Sequence, residues 1–81
     1  MIQRYIFKYG VYITSNPEIR EESFSIDDKD IATCDEGATK HVGHLIADIR
    51  AELPFAPPRV CGTLYRLEQI GYWDTAEVKR T

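Results

Sequence analysis

Cysteine is scarce in this chain: only Cys34 and Cys61 occur among 81 residues, so at most one bridge can form, and no CxxC pair is present. Long apolar runs are missing as well. None approaches the ~20 residues a membrane-spanning helix needs. The N-terminal MIQRYIFKYG has basic residues but no separate apolar core followed by a small-residue cleavage site, which argues against a secretion signal. Together these features predict free thiols in a reducing, cytoplasmic setting. There is no glycine-rich phosphate loop, no GxSxG and no HExxH, so catalysis is the least favoured class of function, and no cofactor is expected. Internal repeats and low-complexity tracts are absent too.

What is present is the composition of a globular domain, 43% hydrophobic and 28% charged, with room for one modest core. The net charge of −3 is unevenly spread. Residues 1–39 hold four bases against eight acids, whereas residues 40–81 hold six bases against five acids. An acidic first half therefore adjoins a mildly basic second half, an asymmetry that points weakly to a polyanion-facing side.

In QRYIFKYGVYIT, Tyr5, Phe7, Tyr9, Val11 and Ile13 share one parity while Arg4 and Lys8 take the other, the pattern of a half-buried strand. SNP at 15–17 interrupts it, and Arg20, Glu22, Phe24 and Ile26 then share one face of a second, weaker strand. A β-hairpin over residues 1–26 is the natural assembly. The segment 25–36 is acidic and turn-rich. In TKHVGHLIADIRAEL, Val42, Leu45, Ile46, Ile49 and Leu53 recur at helical steps, and Pro54 ends that helix.

The stretch FAPPRVCGTLYRLEQIGYW, residues 55–73, is ambiguous. Its β-branched and aromatic residues favour a strand. As a strand, however, neither face is cleanly apolar, whereas a helical period sorts Val60, Leu64 and Leu67 onto one stripe opposite Arg59, Gly62, Thr63 and Arg66. Pro57 and Pro58 suit a first helical turn, and Gly71 suits a left-handed ending with Tyr72 packing back on Leu67. Periodicity and ends predict a helix over 57–70, buried against Leu45, Ile49 and Leu53.

On that spacing, residues 45–73 resemble the second and third helices of winged helix-turn-helix DNA-binding domains. VCGTLYRLEQIGY is similar to regulators of the MarR and PadR kind. The resemblance implies an α+β fold in which the N-terminal β-hairpin precedes a helix-turn-helix-like unit at 37–81, with a short wing or tail, all in one domain. It further implies a small transcriptional regulator that reads double-stranded DNA through the major groove. Arg59 would then read a base edge, Arg66 would contact phosphate, Thr63 would contact a phosphate or a thymine methyl, and Gly62 would allow close approach. Lys79 and Arg80 would reach phosphates.

The rival reading keeps 55–73 extended, giving a β-β-α-β single sheet with one packed helix. That architecture suits a small acidic protein-interaction inhibitor without catalytic activity, for instance phage- or plasmid-encoded, with EIREESFSIDDKD as its working face. The apolar and aromatic N-terminal hairpin, with the weak DNA binding of a single winged helix, predicts a homodimer by strand pairing; the alternative partner is a protein target of the acidic face. Cys34, His41, His44 and Cys61 suggest zinc only by composition, since their spacing matches no common finger, and no metal site is expected. His44 and Asp48, four apart, can pair without forming a hydrolytic dyad.

Overall fold

The computed structural model describes residues 1–76 and shows an α+β fold, a four-stranded antiparallel sheet with one helix packed on one face. In chain order the elements are β1 (Ile2–Tyr12), β2 (Glu18–Asp27), α1 (Ile31–Ala51), β3 (Arg59–Arg66) and β4 (Glu68–Asp74). The strands lie in the order β2-β1-β3-β4. The hairpin expected at the N-terminus is present, with Tyr5 opposite Phe24 and Tyr9 opposite Arg20.

Alternation in β1 works as the pattern demands. Tyr5, Phe7, Tyr9 and Val11 are buried under α1, and Phe7 is wholly inaccessible. From the helix, Cys34, Ala38, Val42, Ile46 and Ile49 close the core from above. The helix starts eight residues earlier than the apolar repeat implied. Asp30 caps it, accepting from the Thr33 N–H at 2.8 Å while the Asp30 N–H donates to Thr33 Oγ1 at 3.3 Å. This capping box satisfies N–H groups that have no intrahelical partner. Small residues explain the missed turns: Gly37 lets the helix lie close on Ile26, whose Cγ2 would be 3.2 Å from an added Cβ.

The helix expected over residues 57–70 is not formed; that stretch is β3, a one-residue turn and the start of β4. Val60 and Leu64 are fully buried, as expected, but from a strand. Gly62 lies between them at the inward position opposite Tyr9. A Cβ at Gly62 would run into Tyr9 Cβ and stand 2.6 Å from the Lys8 carbonyl oxygen, so β1 and β3 approach closely only because the side chain is missing. Trp73, opposite Gly62 on β4, supplies the volume: its indole lies across Gly71 and meets the Phe7 ring edge-on at 5.8 Å. Gly71 is therefore no helix ending. Leu67, expected in the core, is fully exposed at the β3–β4 turn with φ of 66°. Leu53 is also largely exposed and Leu45 only partly buried, so no helix-turn-helix core forms among the described residues.

Candidate protein-interaction surface

The two arginines assigned to DNA by the helical reading are both committed within the fold. Arg59 opens β3 and donates from Nε and a terminal nitrogen to the two carboxylate oxygens of Asp74, at 3.0 and 2.8 Å. Its guanidinium also lies 4.9 Å from the centre of the Tyr12 ring. The fork holds the Asp74 carboxyl down to about 2, helped by the Ala76 N–H, and pushes the Arg59 guanidinium up. Arg66 turns toward the helix and pairs with Asp35 at 2.8 and 3.1 Å. The Tyr5 hydroxyl donates to the same carboxylate at 2.6 Å.

Asp35 is thus a hub joining α1, β1 and β3. Arg66 depresses its carboxyl, while burial and the Asp35 contact raise the Tyr5 phenol. Nothing local in the sequence announces this hub, because its members lie 30 and 31 residues apart. Of the other residues assigned to DNA, Gly62 is buried against β1 and Thr63 is half-buried on the sheet face away from the helix. Lys79 and Arg80 lie outside the described residues. The recognition-helix arrangement is therefore replaced by a flat strand whose cations are already bound to carboxylates.

The histidines and cysteines are not brought together. Cys34 is buried in the core, Cys61 is half-exposed on the opposite sheet face, and His44 is exposed on the helix. His41 lies 2.7 Å from Glu22 and stacks on Phe24. Among the described residues no group of three or more potential ligands clusters in a way that can hold a metal. No helix among them is long and apolar enough to cross a membrane.

The acidic run has a definite location. Residues 18–30, with six carboxylates against two cations, form β2 and the turn into the helix. Because β2 is one of the two outermost strands, its outer backbone edge has no neighbouring strand among the described residues. Pairing parity sends Glu21 and Asp27 to the open face and Glu18 and Glu22 to the helix side, so negative charge flanks this edge from both directions. Several of these carboxylates touch cations, but in exposed settings. Glu18 meets Arg20 at 2.9 Å, Lys8 is 4.0 Å from Glu21, and the N-terminal ammonium is 3.4 Å from Asp27. Screened pairs of this kind hold their partners weakly and can exchange them.

The second uncovered surface is the sheet face opposite α1. Ile2, Ile6, Tyr12, Ile19 and Tyr65 lie on it, with Ile19 75% and Ile2 66% exposed. A shallow depression of about 280 Å³ opens over Gly10, between Tyr12, Ile19 and Cys61. No family model, curated protein or solved structure matches this chain at a significant level, so the functional reading rests on these surfaces alone.

Proposed function

We propose that this protein is a small non-catalytic interaction module that presents the acidic strand β2 to a cationic surface of another protein, such as one that otherwise holds nucleic acid. One observation carries the reading: the most acidic segment of the chain is also an outer strand with an open backbone edge. An exposed edge offers main-chain hydrogen bonds to an extended segment, and flanking carboxylates select lysine and arginine in that segment. Opposed charge also speeds encounter. The DNA-reading alternative has no comparable support, since the helix that carried it is a strand and both its arginines are paired.

The test is a titration of the full chain with an extended peptide alternating lysine and valine, alongside a duplex oligonucleotide. We expect the peptide to bind and its affinity to fall steeply as salt rises. The exposed triple variant Glu18→Gln, Glu21→Gln, Asp27→Asn should lose at least tenfold. Binding of the duplex but not the peptide, or peptide binding unchanged in the triple variant, overturns the reading.

A further inference from the structure

The structure assigns a second role to the sheet face opposite α1: it is the contact surface between two copies of this chain, stacked sheet on sheet. The assignment starts from an imbalance in the fold. One face of the sheet is sealed by α1, with Val60, Leu64 and Phe7 fully buried beneath it. The other face carries Ile2, Ile6, Tyr12, Ile19 and Tyr65 with no element over them among the described residues. Ile6 lies beside Tyr65, and Ile19 and Tyr12 flank Gly10, so the exposed apolar side chains of this face gather at two places rather than standing singly.

Charge favours a second copy as the occupant. The open face holds Arg4 and Lys8 against Glu21 and Asp27, and the remaining charges there, Arg59 and Asp74, neutralise one another. The face is therefore balanced in a molecule whose net charge is −3, and it does not repel its own image. Among the described residues, a nucleic acid strand on the same tyrosines would meet only Arg4 and Lys8 outside the Arg59–Asp74 pair, with Lys8 already beside Glu21. Strand pairing through the N-terminal hairpin, the dimer expected from sequence, is disfavoured because β1 is an interior strand, which leaves acidic β2 as the hairpin's one edge. Self-pairing of β2 would also lay two acidic strands side by side, each with Glu18, Glu21, Glu22 and Asp27 against Arg20 alone, and like charges brought together destabilise a sheet.

The area suffices. Four strands spaced ~4.8 Å, each about seven residues long at ~3.4 Å per residue, make a face of roughly 450 Å². Covering it on both copies removes on the order of 1,000 Å² from water, the lower limit of a specific interface. A dimer that forms at micromolar rather than nanomolar concentration follows. The two-fold leaves both β2 edges at the outside, so this inference stands or falls independently of the acidic-edge reading.

Sedimentation of the full chain over a concentration series tests it. We expect mass to rise from 9.3 kDa toward twice that value across the micromolar range. Ile6→Lys and Ile19→Lys, both at exposed positions, should each weaken association at least tenfold while leaving the circular dichroism spectrum unchanged. Ala47→Lys, on the exposed side of α1, should leave it intact. Cys61 gives a second readout, because it is half-exposed on the contact face while Cys34 is buried. A bis-maleimide should link two copies of wild type and none of Cys61→Ser. The inference is overturned if the chain stays monomeric at hundreds of micromolar. It also falls if association survives both isoleucine changes, or if a single-stranded oligonucleotide, not a second copy, occupies the face.

Discussion

Strands β1 and β3 lie side by side under the same helix, yet they fill the core in different ways. From Tyr5 onward β1 puts an apolar or aromatic side chain at each inward position, Tyr5, Phe7, Tyr9 and Val11. β3 alternates, with Val60, Gly62 and Leu64 inward; the space over Gly62 is taken by Tyr9, and Trp73, its partner on β4, lies across Gly71. One strand is self-sufficient; the other borrows its volume from neighbours. The difference teaches that a glycine at an inward strand position can be a packing solution, readable only once the cross-strand partner is known.

The largest effects should come from the self-sufficient strand. Phe7 stacks on Tyr9 at 4.8 Å and receives the edge of Trp73, so truncating it opens a cavity shared by β1, β4 and the helix. Phe7→Ala should lower the unfolding free energy by ~3–5 kcal/mol, and Leu64→Ala by ~2–5 kcal/mol, as measured by urea denaturation. For so small a domain the first is close to the whole stability. If Leu64→Ala cost less than ~1 kcal/mol, β3 would not be the shared core strand described here.

Next comes the borrowed volume. Gly62→Ala should cost ~1–3 kcal/mol, because the new methyl collides with Tyr9 Cβ and backbone atoms that cannot rotate away. Gly43→Ala, at a helical position with nothing near the new Cβ, should instead stabilise by roughly 0.5–1 kcal/mol. The pair separates a glycine required by close approach from one that is merely tolerated.

These positions also show why half of the fold was legible in the sequence and half was not. β1 announced itself because its inward residues from Tyr5 to Val11 are all apolar or aromatic. In β3, residues 60 and 64 share a face whether the chain is extended or helical, since four residues are two strand repeats and about one helical turn. Leu67 decided for helix, and Leu67 is the residue that faces solvent. The helix α1 was legible where Val42, Ile46 and Ile49 repeat, and illegible where Gly37, Ala38 and Cys34 do the packing with little apolar bulk. Of the candidate surface, the acidic run was visible in the sequence, but its place at an outer edge depended on which strands paired. The Asp35 hub depends on contacts across 30 and 31 residues and left no local trace.

The ion pairs at the two ends of β3 predict acid sensitivity of a definite sign. Asp74 has its carboxyl lowered from 3.8 to about 2 by Arg59, and Asp35 is lowered by Arg66. A carboxyl depressed in the folded state stabilises fully above its unfolded value and loses that stabilisation as pH falls through the folded one. Stability should therefore be level above about pH 5 and decline toward pH 2, with part of the decline removed in Asp35→Asn. Asp74→Asn should flatten the curve more, because its carboxyl is held further below the ordinary value and is the less exposed of the two. Denaturant midpoints measured across that range would show the ranking, and equal slopes in both variants would remove the distinction between the two ends.

The smallest expected effect is the sharpest, because its sign differs between the two readings of residues 57–70. Leu67 combines a positive φ of 66° with complete exposure, so its side chain contributes no burial while its backbone carries the crowding that an L-residue meets in the left-handed region. Glycine relieves that crowding but gives up some order in the unfolded chain, leaving Leu67→Gly a net gain of about 0.5–1 kcal/mol. Asn, which tolerates the same backbone, should gain about as much with less entropic cost. Were residues 57–70 helical, with Leu67 on the buried stripe, the same substitution would remove a core side chain and insert glycine into a helix, a loss of several kcal/mol. A rise in the urea midpoint of Leu67→Gly and Leu67→Asn supports the strand–turn–strand structure. A large fall in both would restore the recognition helix, and with it the claim of Arg59 and Arg66 on DNA.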